Sequence, residues 1–126
     1  MEPTESILVM SPDATSLRGL SRALVTSGFV VDAALGWMDV DAGLGRLPVS
    51  LLVADLDEFS SEDLGRIRRL RAEFPRVEIV ALVSLSTPAV RAAERQGVVC
   101  AVLEKPIALA RLEGTVRSAL ARTASA

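Results

Sequence analysis

The feature that most constrains this chain is an alternation of two hydrophobic periods. Five short, predominantly apolar runs fall at residues 6–10, 29–34, 49–54, 77–83 and 98–103. Between them, apolar residues recur every three or four positions. Leu17, Leu20 and Leu24 form one such series, Trp37, Val40, Leu44 and Leu47 a second, and Leu64, Ile67, Leu70 and Phe74 a third. Continuous runs predict strands buried on both faces, and the intervening spacing predicts amphipathic helices. The segment boundaries agree. Ser11, Pro12 and Asp13 read as a cap, a first helical position and a first-turn acid, with Gly28 as the stop. Thr87, Pro88 and Gly97 bracket a later helix in the same way, and Leu109, Leu112, Val116 and Leu120 share one side of the last.

Five β-then-α units with short connections predict a parallel sheet covered on both faces. Right-handed crossovers make it a doubly wound, three-layer (βα)5 sandwich, and the expected flavodoxin-like strand order is 2-1-3-4-5. A closed β/α barrel would need about 250 residues, and the chain has 126. That length predicts one domain over 1–126, with an ordered core over about 6–121 and a tail or the start of a linker at 122–126.

Composition removes several function classes. There is no histidine and one cysteine, Cys100, so neither a Cys/His metal cluster nor an internal disulfide can form. The net charge of −2 provides no general attraction for nucleic acid or an anionic membrane. No apolar run approaches the roughly 20 residues that span a bilayer, and "ILVM" is too short for a signal-peptide core. The chain reads as soluble and cytoplasmic. Arg66, Arg68, Arg69, Arg71 and Arg76 lack interleaved aromatics and read as a solvated helix face. Ser11, Thr15 and Ser16 follow strand 1 without the glycines of a phosphate loop, so no flavin is expected.

In a sheet of this order, function gathers beyond the carboxyl ends of the strands, near the switch between strands 1 and 3. Three loops meet there: "SPD" at 11–13, "DLDE" at 55–58 and "EKP" at 104–106. Lys105 is the only lysine in the chain. A carboxylate can attack phosphorus to give an acyl phosphate, and the transfer depends on positioning and neutralisation of charge. Asp55 as acceptor, Lys105 as counter-charge and Asp13 as ligand to a Mg²⁺ ion make a minimal set for that chemistry.

With these residues in place, the chain resembles the receiver domain of two-component response regulators, from "ILVM" to the last helix. The matches are the strand-3 aspartate in "LLVADLD" and the strand-5 "EKP", separated by 105 − 55 = 50 residues. The resemblance implies a bacterial-type phosphorelay module rather than an enzyme. It implies Asp55 as phosphoacceptor, Lys105 on the phosphate, and a Mg²⁺ ion at Asp13, Asp55 and the backbone carbonyl of Asp57. A histidine kinase or phosphotransfer protein would supply the phosphate. A protein partner or a second copy would read the face formed by helix 4, strand 5 and helix 5, with no role for nucleic acid or membrane.

The chain departs from the receiver pattern at several points. The adjacent acids that usually end strand 1 fall on Ser11 and Pro12, with Asp13 one step late. The hydroxyl that usually ends strand 4 falls on Val83, and Ser84 supplies it only if the register slips by one. Met-Pro is replaced by Glu58-Phe59, and the aromatic switch position is Val102. The expectation is an atypical receiver. The alternative is a pseudo-receiver that serves as an interaction or dimerisation module without phosphorylation.

Overall fold

The computed structural model describes residues 6–124. Five strands and five helices alternate: β1 Ser6–Ser11, α1 Ala14–Thr26, β2 Val30–Leu35, α2 Gly36–Arg46, β3 Val49–Asp55, α3 Ser61–Glu73, β4 Glu78–Val83, α4 Pro88–Arg95, β5 Ala101–Glu104 and α5 Leu109–Ala124. All strand pairs are parallel, and the sheet order is β2-β1-β3-β4-β5. This is the flavodoxin-like architecture that the alternating periods predict.

The sheet separates two cores. Side chains alternate across a strand, so Ile7 and Val9 face one side of β1 while Leu8 and Met10 face the other. Ile7, Val9, Leu51 and Val53 pack with Leu24 of α1 and with Leu112 and Val116 of α5. Leu8, Met10, Leu52 and Ala54 pack with Val40 of α2, Ile67 of α3 and Val90 of α4. The same alternation puts Ser11 and Asp55 on the α1/α5 side, at the ends of adjacent strands. Gly43 lets α2 approach the sheet, because a Cβ there would lie 3.2 Å from the Leu8 side chain.

The helix starts follow local chemistry. Ser60 and Asp63 form a reciprocal capping box on α3. Thr87 caps α4 with Pro88 in its first turn, and Gly97 takes a φ of +75° just after it. Trp37 packs α2 against the core as expected, and its indole N–H also donates to Asp63 Oδ1 at 3.0 Å.

Several boundaries differ from the sequence reading, and three of them bear on the fold. Ser11 is the last residue of β1 and not a helix cap; Asp13 caps α1 instead, accepting from the Ser16 amide at 2.9 Å. The fifth strand begins at Ala101. Residues 98–100 bend onto the sheet, with the Cys100 amide already donating to Ile79 O at 2.8 Å. The last helix runs to Ala124, so the tail expected at 122–126 is helical over its first part. Residues 125 and 126 lie outside the described residues.

Candidate functional site

The carboxyl ends of β1, β3 and β5 bring three of the predicted loops together. Asp55 ends β3 and is buried to 5% exposure among the apolar residues of the sheet edge. Both of its carboxylate oxygens are engaged. The Ser11 hydroxyl donates to Oδ2 at 2.8 Å, and the Lys105 ammonium lies 2.5 Å from Oδ1. Lys105 also donates to Asp57 Oδ1 at 3.3 Å, so it bridges a buried and an exposed carboxylate. Its backbone amide donates a hydrogen bond to Val83 O at 2.8 Å, and its peptide to Pro106 is cis. Burial alone would lower the Lys105 pKa, but hydrogen bonding and attraction to Asp55, and then to Asp57, outweigh it and hold the group above its ordinary value.

The Ser11 hydroxyl is satisfied in both directions. It donates to Asp55 and accepts from the Asp13 amide at 3.1 Å. This partner of Asp55 escaped the sequence reading, which took Ser11 for a helix cap. The signal available was the count that put Ser11 at the end of strand 1, beside strand 3 in the expected order.

Asp13 stands apart from this cluster. Its carboxylate accepts from both the amide and the hydroxyl of Ser16, at 2.9 and 2.8 Å, and these bonds lower its pKa. Ser84 is exposed, and its link to the site is through the backbone: its amide donates to Asp57 O at 2.9 Å. The preceding Val83 is fully buried, so the strand-4 end presents a methyl group where the receiver pattern has a hydroxyl. Glu104 accepts from the Ser86 amide at 3.2 Å and ties the β5 end to the loop before α4.

These contacts allow a test of whether the residues fit Mg²⁺. The ion wants octahedral oxygen ligation and commonly takes one or two carboxylates. Asp13 is committed to Ser16, Asp55 to Ser11 and Lys105, and the Asp57 carbonyl to the Ser84 amide. The lysine ammonium also reaches the carboxylate that remains, that of Asp57. Among the described residues, no group of three or more His, Cys, Asp or Glu side chains is placed to hold a metal. As they stand, the acids are paired within the chain and not gathered as an octahedral donor set.

Asp55 and Lys105 also line an open pocket of about 290 Å³, together with Ser16 and Leu20 of α1, Leu82 of β4, and Ile107 and Leu112 on the α5 side. Cys100 is half-buried, and burial together with Glu78 pushes its thiol up to about 11, as an inert core cysteine requires. The helix-3 arginines pair locally. Arg66 lies 3.6 Å from Glu62, and Arg71 donates to Val77 O at 2.9 Å, in keeping with a solvated face.

No family model matches the chain, and no curated protein matches it. Solved structures do. A response regulator from Thermotoga maritima is 23% identical, with a TM-score of 0.84, over 94% of this chain and 99% of that one. A CheY-like response regulator receiver domain protein from Methanospirillum hungatei JF-1 is 15% identical, with a TM-score of 0.86, over 98% of each chain. A Burkholderia pseudomallei K96243 protein, provisionally described as pilus assembly-related, is 22% identical, with a TM-score of 0.83, over 94% of this chain and 90% of that one. The chain has the receiver fold of response regulators. No helix among the described residues is long and apolar enough to cross a membrane.

Proposed function

We propose that this chain is a phosphorylation-independent, receiver-like module of signal transduction: a cytoplasmic binding domain read by protein partners, not an enzyme. One observation carries the reading. The carboxylate at the acceptor position is engaged on both oxygens by the chain's own groups, Ser11 on one side and Lys105 on the other. Phosphoryl transfer to a carboxylate needs a free oxygen for attack and a cation to gather the charge that develops on phosphorus. Here each Asp55 oxygen already holds a donor from the chain itself, which an incoming phosphoryl group would have to displace or share, and the donors for Mg²⁺ are dispersed. The centre then acts as an internal tie between β1, β3 and β5. It fixes the sheet edge in one state instead of switching between two.

The second reading is the phosphorelay receiver, with Asp55 as acceptor and a histidine kinase or phosphotransfer protein as donor. It is favoured by the Asp55–Lys105 contact, which would serve an acyl phosphate equally well. A small phosphodonor separates the two. Protein incubated with acetyl phosphate and Mg²⁺ is expected to show no mass increase and no base-labile adduct. An adduct absent from Asp55→Asn would overturn the proposal in favour of the relay.

A further inference from the structure

A second feature lies on the other flank of α1 and stands independently of the reading above. Between α1 and the edge strand β2 runs a groove of about 580 Å³. Its apolar surface comes from Leu17 and Val25 of α1 and from Ala33 and Leu35 of β2. Val25 is 54% exposed and Leu35 50% exposed. Arg18 and Arg22, one helical turn apart, also line it. Neither forms an ion pair among the described residues, and α1 contains no acid to neutralise them. The Ser21 hydroxyl, on the same wall, is shielded from solvent and has no hydrogen-bond partner among the described residues.

We propose that this groove docks an acidic amphipathic helix of a partner protein. An apolar trough beside a helix accepts an apolar helical face, read as anchors at i, i+3, i+4 and i+7. From Ala14 to Val25 the α1 wall spans 12 residues, or roughly 16 Å at about 1.5 Å per residue, which matches about three turns of a docked helix. Two unpaired arginines at i, i+4 spacing call for carboxylates at the same spacing, because such side chains are neighbours on a helix surface.

The same observations weigh against the other occupants. A strand added to the outer edge of β2 would meet the Asp39 carboxylate, which already accepts from the Leu35 amide at 3.1 Å. A second copy does not offer the required helix: none of α1 to α5 carries two acids three or four residues apart.

The test uses the full chain labelled with ¹⁵N. It is titrated with a synthetic amphipathic helix that has leucines at i, i+3, i+4 and i+7 and glutamates flanking them at i, i+4 spacing. The expected result is saturable binding, with shifts centred on Leu17, Val25, Ala33 and Leu35. In the double variant R18E/R22E, affinity for this peptide should fall by about tenfold or more, equivalent to about 1.4 kcal/mol or more. The same variant should gain affinity for a peptide with lysines in place of the glutamates. Both positions are exposed, so the fold is expected to survive, and an unchanged melting curve checks this. No binding, binding indifferent to the charge swap, shifts mapping elsewhere, or concentration-dependent self-association through this face would each overturn the proposal.

Discussion

Lys105→Met probes the centre most directly, because it removes the charge and keeps much of the side-chain bulk. Asp55 would remain 5% exposed with the Ser11 hydroxyl as its one side-chain donor. Breaking a fully buried pair from one side costs about 3–5 kcal/mol, whereas exposed pairs are worth about 0.2–1 kcal/mol. The Asp55 side chain is 7% exposed and that of Lys105 29%, so the pair lies between these limits and nearer the buried one. The expected loss is about 2–3 kcal/mol, or roughly 7–12 °C in Tm for a chain of this length. Asp55→Asn removes the charge that needs the lysine, so adding Lys105→Met in that background should cost under about 1 kcal/mol.

The assay is urea unfolding of the four proteins of the cycle. It is followed by the fluorescence of Trp37, the sole tryptophan, whose indole N–H is held by Asp63 and is released on unfolding. Coupling of about 1.5–2 kcal/mol supports the internal tie. Single-variant costs that simply add would refute it. So would a gain in stability on removing Asp55, since an acidic centre kept for chemistry commonly costs stability.

Ser11→Ala leaves Asp55 Oδ2 without its hydroxyl donor and should cost about 1.5–3 kcal/mol in the same unfolding assay. Ser11→Asp should instead create a need for cation. Its stability should rise with added Mg²⁺, by about 2.7 kcal/mol at a hundred times the dissociation constant, while the parent chain does not respond. Because Lys105 is held above its ordinary pKa, its contribution is complete below that value of 10.5 and is lost as pH rises through the folded-state pKa. Alkaline melts should therefore fall more steeply for the parent than for the Asp55→Asn/Lys105→Met pair. Gly43→Ala places a Cβ 3.2 Å from Leu8, which is 1% exposed, and should lower stability by about 0.5–2 kcal/mol after the gain in helix propensity.

Much of the fold was legible because its determinants are local. Ile7 to Met10, or Ile79 to Val83, can satisfy a continuous apolar run only between two helical layers. Thr87-Pro88 and Gly97 mark the ends of α4 through backbone preferences that need no tertiary partner. Even the meeting of Asp55 with Lys105 was legible, because strand order alone brings the two loops to one edge. Cys100 was harder to place. Its run is apolar from Val98 onward, but pairing starts only where the chain reaches Ile79, so composition overstated the strand.

The end of β1 shows why the site itself was less legible than its location. Read locally, Ser11-Pro12-Asp13 is an ordinary cap, first position and first-turn acid. What decides the matter is 44 residues away: a buried carboxylate whose second oxygen needs a donor. Meeting that need keeps Ser11 extended, in register with Leu35 of β2, and the chain leaves the sheet one residue later. The cap then falls on Asp13, whose carboxylate is drawn to Ser16 and away from Asp55. A single residue of extra strand therefore has two effects at once. It supplies a neutral partner to the central aspartate, and it leaves Asp13 engaged with Ser16 rather than beside Asp55. At this centre the length of β1, rather than the number of acids, sets which groups stand beside Asp55.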